Sequence, residues 1–173
     1  LGLLSSDGRF KRLPMSEVLD LSGRATSVVK LKEGVELASA LICREHSDLV
    51  LVSDLGRILR LPVNETTLPL MGRLAQGPMT MRLLPGEQLV GALCINVAEQ
   101  DPTLFIVSGK GRMTRLDITP LRRCQRGDLG CMGVNLGSDD DRIRGISNSD
   151  ALIGLISDLS LIHISEPTRL RSI

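Results

Sequence analysis

Leu51-Val52-Ser53-Asp54-Leu55-Gly56-Arg57-Ile58-Leu59-Arg60-Leu61-Pro62 is one of three near-copies of a single phrase. The others are Leu3-Leu4-Ser5-Ser6-Asp7-Gly8-Arg9-Phe10-Lys11-Arg12-Leu13-Pro14 and Ile106-Val107-Ser108-Gly109-Lys110-Gly111-Arg112-Met113-Thr114-Arg115-Leu116-Asp117. From Gly8 to Gly56 and from Gly56 to Gly111 are steps of 48 and 55 residues. A period of that size marks a repeat architecture, in which each unit buries its apolar face only by stacking on its neighbours. A fourth copy opens at Leu152-Ile153-Gly154-Leu155-Ile156-Ser157-Asp158-Leu159 and stops where Gly-Arg should follow.

Inside a unit the apolar runs are short, rich in Val, Ile and Leu, and bounded by Gly, Pro and Asp, which predicts strands. In the second unit they cover 49–52, 57–63, 78–84 and 88–95; in the third, 103–107, 111–118, 130–136 and 142–147. Gly in the Gly-Arg pair supplies the positive φ that a tight hairpin turn needs. Four strands per unit of about 50 residues is a propeller-like blade, and no stretch carries a sustained helical stripe. The expected fold is all-β, with blades over 1–46, 47–100 and 101–149 and the start of a truncated one over 150–159. Positions Leu4, Val52 and Val107, and likewise Leu13, Leu61 and Leu116, recur at one phase and are expected in the core.

Composition narrows the choices. With no Trp or Tyr and only two Phe, the aromatic signatures of WD40 repeats are missing. There is no run of ~18 apolar residues for a membrane span, and Leu1–Leu4 is too short for a signal peptide. Cys43 and Cys94 occupy matching places in two repeats and read as small buried hydrophobes. Cys124 and Cys131, without a Cys-x-x-Cys pair, argue against a zinc site. Asp139-Asp140-Asp141 reads as a solvated hairpin tip, because alternating side chains cannot converge on one ion. Gly109-Lys110-Gly111-Arg112 lacks the Lys-Ser/Thr pair and the helix of a phosphate loop. No catalytic centre emerges, and no metal site.

Charge is phased with the repeat. Residues 9–32, 55–82 and 110–135 carry net charges of +4, +3 and +4, while 33–54, 83–109 and 136–158 carry −4, −3 and −3. In stacked blades equivalent segments lie at equivalent places, so the basic segments predict a band suited to the phosphates of a duplex. Single-strand binders stack bases on aromatic side chains. Their scarcity here favours duplex backbone, read by charge and bendability.

The phrase Ser-x-x-Gly-Arg-x-x-Arg-Leu is followed by basic loops at Ser22-Gly23-Arg24-Ala25, at Met71-Gly72-Arg73-Leu74-Ala75-Gln76-Gly77, and at Arg122-Arg123-Cys124-Gln125-Arg126-Gly127-Asp128-Leu129-Gly130. As a set, over about residues 1–159, these resemble the blades of the C-terminal domain of the A subunit of bacterial type IIA DNA topoisomerases, whose members are DNA gyrase and topoisomerase IV. The resemblance implies a β-pinwheel in an incomplete array, whose basic rim bends duplex DNA. It implies as DNA-binding residues Arg9, Lys11, Arg12, Arg24 and Lys30, then Arg57, Arg60, Arg73 and Arg82, then Lys110, Arg112, Arg115, Arg122, Arg123 and Arg126. It further implies, as partners, an ATPase B subunit together with the remainder of the A subunit. ATP and Mg²⁺ used by that holoenzyme, and a cytoplasmic, nucleoid-associated location, are implied with them.

Two departures qualify the resemblance. The gyrase box Gln-Arg-Arg-Gly-Gly-Lys-Gly is matched only by Gln125-Arg126-Gly127-Asp128-Leu129-Gly130, which leaves gyrase and topoisomerase IV both open. Strand cleavage in the family uses a tyrosine, and the chain has none. A second reading also stays open, a propeller whose Arg-lined loops meet an acidic protein surface. Residues 160–173 match no blade phrase, look like a non-native appended tail, and are expected to pack poorly.

Overall fold

The computed structural model describes residues 1–19, 23, 25–98, 102–148, 156–157 and 160–161. Each Gly-Arg phrase folds as a hairpin about its glycine, with φ of 85° at Gly8, 88° at Gly56 and 76° at Gly111. In the first repeat β1 (Gly2–Ser5) pairs antiparallel with β2 (Phe10–Arg12), Leu4 opposite Phe10. A single helical turn, α1 (Ser16–Leu19), follows, and β3 (Leu37–Leu41) returns to the other edge of β1. The second repeat builds the same order from β4 (Asp48–Ser53), β5 (Arg57–Pro62) and β6 (Leu89–Ile95). The third does so from β7 (Thr103–Ser108), β8 (Met113–Asp117), a short β9 (Cys131–Met132) and β10 (Ile143–Ser147), with β7 between β8 and β10. The fold is the all-β, incomplete pinwheel expected.

The fourth strand of a blade, however, comes from the following repeat. β9 pairs with the outer edge of β5, Met132 opposite Arg57 and Cys131 opposite Ile58. At the equivalent edge of β2, Met79 bridges Arg9, Phe10 N–H donates to Pro78 O at 3.2 Å, and the Thr80 and Met81 N–H groups donate to Gly8 O at 2.9 and 3.0 Å. The expected strands 78–84 and 130–136 are thus shortened, and each closes its predecessor's sheet. The backbone explains the shortening. Pro78 has no N–H to give a ladder, and Gly77 and Gly130 sit at φ of 83° and 76°, outside strand geometry.

Alternation along the strands decides which neighbour each residue meets. On β4, Leu49 and Leu51 enter a cluster with Leu4, Phe10, Leu59, Leu61, Leu68 and Met81, between the first and second blades. Val50 and Val52 point the other way, into a cluster with Ile58, Ile95, Leu104, Ile106, Val134 and Ile143, between the second and third. Burying a Leu- or Val-sized side chain contributes about 1.5–3 kcal/mol, so both faces of β4 hold the array together. Of the six expected core positions, Leu4, Leu13, Val52 and Leu61 are buried, while Val107 and Leu116 are half-buried. Val107 stands where Val52 does, facing the side on which the third blade has no described neighbour.

Past the third repeat, β11 (Ile156–Ser157) pairs antiparallel with β12 (Ser160–Leu161). The leading strand of the fourth copy is therefore partnered by two residues of the stretch read as a tail. Residues 162–173, the rest of that stretch, lie outside the described residues.

Candidate nucleic-acid interface

Of the fifteen basic residues singled out in the sequence, thirteen fall into two groups that the repeat phrase does not distinguish. Lys11, Arg12, Arg57 and Arg60 are buried, with their donors turned inward onto protein acceptors rather than displayed to solvent. Each ties a hairpin to neighbouring loop backbone. Arg12 Nη1 donates to Leu68 O at 2.6 Å, and the equivalent Arg60 Nη1 donates to Ile118, Thr119 and Leu121 carbonyls at 2.7, 3.0 and 2.9 Å. Arg60 also pairs with the buried Asp48 at 2.5 Å. Arg57 Nη1 reaches Leu129 O at 2.7 Å, and its other guanidinium nitrogens pair with the buried Glu87. Lys11 Nζ donates to Val28 O at 2.8 Å and Arg73 O at 2.5 Å.

The reason is geometric. The loop of the next repeat crosses over the hairpin, turning its carbonyls toward these cations, and a desolvated cation is tolerable only when its donors are filled. Burial pushes the Lys11 ammonium below its ordinary value, with Glu17 opposing the shift. Burial alone would raise the Glu87 carboxyl, but hydrogen bonds from Arg57, the Leu84 N–H and Ser53 hold it below its ordinary value.

The second group is exposed: Lys30, Arg73, Arg82, Lys110, Arg112, Arg115, Arg122, Arg123 and Arg126. The crossing loops present five of these. The loop carrying Arg73 is pinned by Met71 N–H on Arg12 O at 2.9 Å, leaving the guanidinium outside, 3.4 Å from Glu17. The next loop is pinned by Cys124 N–H on Arg60 O at 2.8 Å and Gly127 N–H on Thr80 O at 2.9 Å, which displays Arg122, Arg123 and Arg126. Arg82 joins this set, its Nε donating to Gly127 O at 2.6 Å. Arg123 also reaches Asp48 at 3.1 Å.

Lys110, Arg112 and Arg115 stand on the third hairpin. Lys110 pairs with Asp140 at 2.6 Å, Arg112 donates to Leu136 O at 2.8 Å, and the Arg115 guanidinium lies 5.9 Å from the centre of the Phe105 ring. Arg9 is half-buried, paired with Asp7 at 3.2 Å and donating to Gly77 O at 3.1 Å. Arg24 lies outside the described residues. The three successive aspartates diverge: Asp140 takes Lys110, buried Asp141 accepts the Lys110 and Arg142 N–H groups, and the Asp139 carbonyl accepts from Arg142.

Geometry and sequence agree with known proteins. The family model described as the DNA gyrase C-terminal domain, beta-propeller, matches residues 3–44, 47–96 and 102–150, one segment per repeat. The chain belongs to the DNA gyrase C-terminal domain family. It is 29% identical over 145 residues to the A subunit of DNA gyrase from Mycolicibacterium smegmatis, covering 84% of this chain and 16% of that protein. It is 30% identical over 150 residues to the A subunit of DNA topoisomerase 4 from Synechocystis, covering 82% and 16%. It thus spans about a sixth of the curated relatives' length. In fold it matches the crystal structure of the C-terminal domain of DNA topoisomerase IV with a TM-score of 0.81, at 19% identity, over 95% of this chain and 51% of that one. The DNA gyrase A C-terminal domain gives 0.66, at 18% identity, over 84% and 64%.

Lys32 and Arg144, both exposed, lie near the basic groups yet escaped the sequence pattern. Lys32 lines a small groove with Arg9, Lys30 and Gln76, which extends the first basic group. Its signal was present, since it falls in the +4 segment, but it sits outside the Gly-Arg phrase. Arg144 lies on β10, within a net-acidic segment, and only the fold places it beside Gly109 on the third hairpin.

Proposed function

We propose that this chain is the DNA-bending part of an A subunit of DNA gyrase or topoisomerase IV, with duplex DNA crossing its exposed basic loops. The observation that carries this reading is the sorting of cations. Those at Arg73, at Arg82 with Arg122, Arg123 and Arg126, and at Lys110 with Arg112 and Arg115 are held outward on successive repeats, while the cations between them are consumed internally. Outward guanidinium groups on pinned loops are a positioning device for phosphate rather than a base-reading one. Several such loops on a stack of blades meet one duplex only if it bends, at a cost of about 1–6 kcal/mol that the added contacts offset.

The parent protein supplies the rest: the remainder of the A subunit with its cleavage tyrosine, the ATPase B subunit, and ATP with Mg²⁺, in a cytoplasmic setting. Gly109-Lys110-Gly111-Arg112 supports that division, because it forms the β7–β8 turn rather than a strand-to-helix phosphate loop. Among the described residues no helix is long and apolar enough to cross a membrane.

The test is a duplex titration across salt with energy transfer between labelled ends. If four to six phosphates are neutralised, log K falls with log salt at a slope of about −4 to −5, and the ends approach. A flat salt response or a straight bound duplex overturns the proposal in favour of an acidic protein partner.

A further inference from the structure

Cys43 and Cys94 fill matching places in two repeats, and the fold turns them toward each other. Cys94 lies opposite Leu49 in the ladder of β4 and β6, so it shares the face of Leu49 that meets the first blade. Cys43 stands two residues past the end of β3, in phase with Leu41. Both cysteines pack on the cluster between the first and second blades. Both are free thiols, half-buried, and in hydrogen-bonding contact with one another.

Their surroundings differ. The Cys43 sulfur lies over Gly2, where an added Cβ would stand 2.5 Å from it. Cys94 lines a cleft of about 530 Å³ together with Arg44, His46 and Asn96. His46 has a left-handed φ of 63°, which a non-glycine residue keeps only where its neighbours hold it. That turn brings the Arg44 N–H and Ser47 beside the Cys94 sulfur. Hydrogen bonding from the Cys43 thiol, opposed by burial and helped by Ser47, the Arg44 N–H and the Arg12 charge, holds the Cys94 thiol below its ordinary value. Cys43 is pushed up by the hydrogen bond with Cys94 and by burial. A thiolate facing a cleft, backed by a thiol that keeps its proton, is the arrangement of an oxidisable cysteine and its resolving partner.

We propose that Cys94 is a hydroperoxide-sensitive thiol and that Cys43 resolves it, forming a disulfide that joins the first blade to the second. The Cys94 thiolate attacks one oxygen of the hydroperoxide, the O–O bond breaks, and the leaving oxygen takes a proton from water, so that Cys94 becomes a sulfenic acid. The Cys43 sulfur then attacks the Cys94 sulfur, and the Cys43 proton leaves with the sulfenic hydroxyl as water. Two electrons pass from the two thiols to the hydroperoxide. The sulfurs close from contact to a bond of about 2.05 Å, and an external thiol reverses the step by exchange.

The probe is hydrogen peroxide, added in stoichiometric amount to the fully reduced full chain, after which remaining thiols are alkylated and the protein is mapped by mass spectrometry. A Cys43–Cys94 cross-linked peptide within one chain is expected. Buried Cys124, and Cys131 whose thiol burial pushes up, serve as internal references and should be alkylated. The oxidised chain should melt about 4–16 °C higher than the reduced one, and dithiothreitol should remove the gain. In Cys43→Ser the Cys94 sulfenic acid should accumulate, and dimedone should trap it roughly tenfold or more faster than it traps Cys43 in Cys94→Ser. Four results overturn the proposal: Cys43 and Cys94 still alkylated after peroxide, cross-linking between chains or through Cys124 or Cys131 first, faster trapping at Cys43 than at Cys94, or an oxidised chain that melts no higher than the reduced one.

Discussion

Arg60→Ala separates a buried, structural cation from the exposed ones proposed to meet phosphate. The substitution removes the guanidinium that joins Asp48 to the carbonyls of Ile118, Thr119 and Leu121. Breaking a buried pair by deleting one partner costs about 3–5 kcal/mol. Asp48 keeps Arg123 at 3.1 Å, so the lower half of that range, about 3–4 kcal/mol, applies. At roughly 2–4 °C per kcal/mol for a chain of this size, thermal unfolding followed by circular dichroism should shift down by about 6–16 °C. In a duplex titration on the folded protein, the salt slope should stay unchanged, because Arg60 is buried and its guanidinium is taken up by Asp48 and three carbonyls. Arg126→Ala should do the reverse, leaving stability within about 0.5 kcal/mol and flattening the slope by nearly one unit. Arg115→Ala, at the position equivalent to Arg60 but uncovered, should resemble Arg126→Ala in stability. An Arg60→Ala protein that melts like the parent and loses a unit of salt slope would refute the division of cations into buried and exposed groups.

Other perturbations test the packing. The Glu87 carboxyl is held below its ordinary value of 4.5, so its contribution to stability is complete above that pH and is lost as pH falls through the lower folded value. Urea midpoints measured from pH 6 to pH 2 should show this decline, and Glu87→Gln should flatten it. Lys11 is likewise held below its ordinary value, 10.5, here by burial. The unfolded chain then binds the extra proton, and stability should rise with pH in the window just below that value, a rise absent in Lys11→Met. Gly56→Ala combines left-handed strain of about 1–2 kcal/mol with a Cβ 2.4 Å from Val134 O. It should lower the thermal midpoint well beyond Gly111→Ala, which meets only the strain.

The repeat period, the hairpins about Gly8, Gly56 and Gly111, the all-β class and the family resemblance follow from local pattern, so sequence by itself determined them. A turn glycine and an alternating Leu/Val strand declare themselves within about ten residues. The core phase was equally legible at Leu4, Val52 and Leu61, because a side chain's face is set by strand alternation. Two matters were decided only by tertiary structure. Residues 78–81 and 131–132 close the preceding sheet, since strand pairing depends on which edge is within reach, and nothing in a strand's own sequence names its partner. The fate of each arginine is the second. Arg57 and Arg112 occupy the same position in the same phrase, and so do Arg60 and Arg115. The first of each pair is buried and the second exposed, because a cation's burial depends on whether the next repeat's carbonyls lie over it.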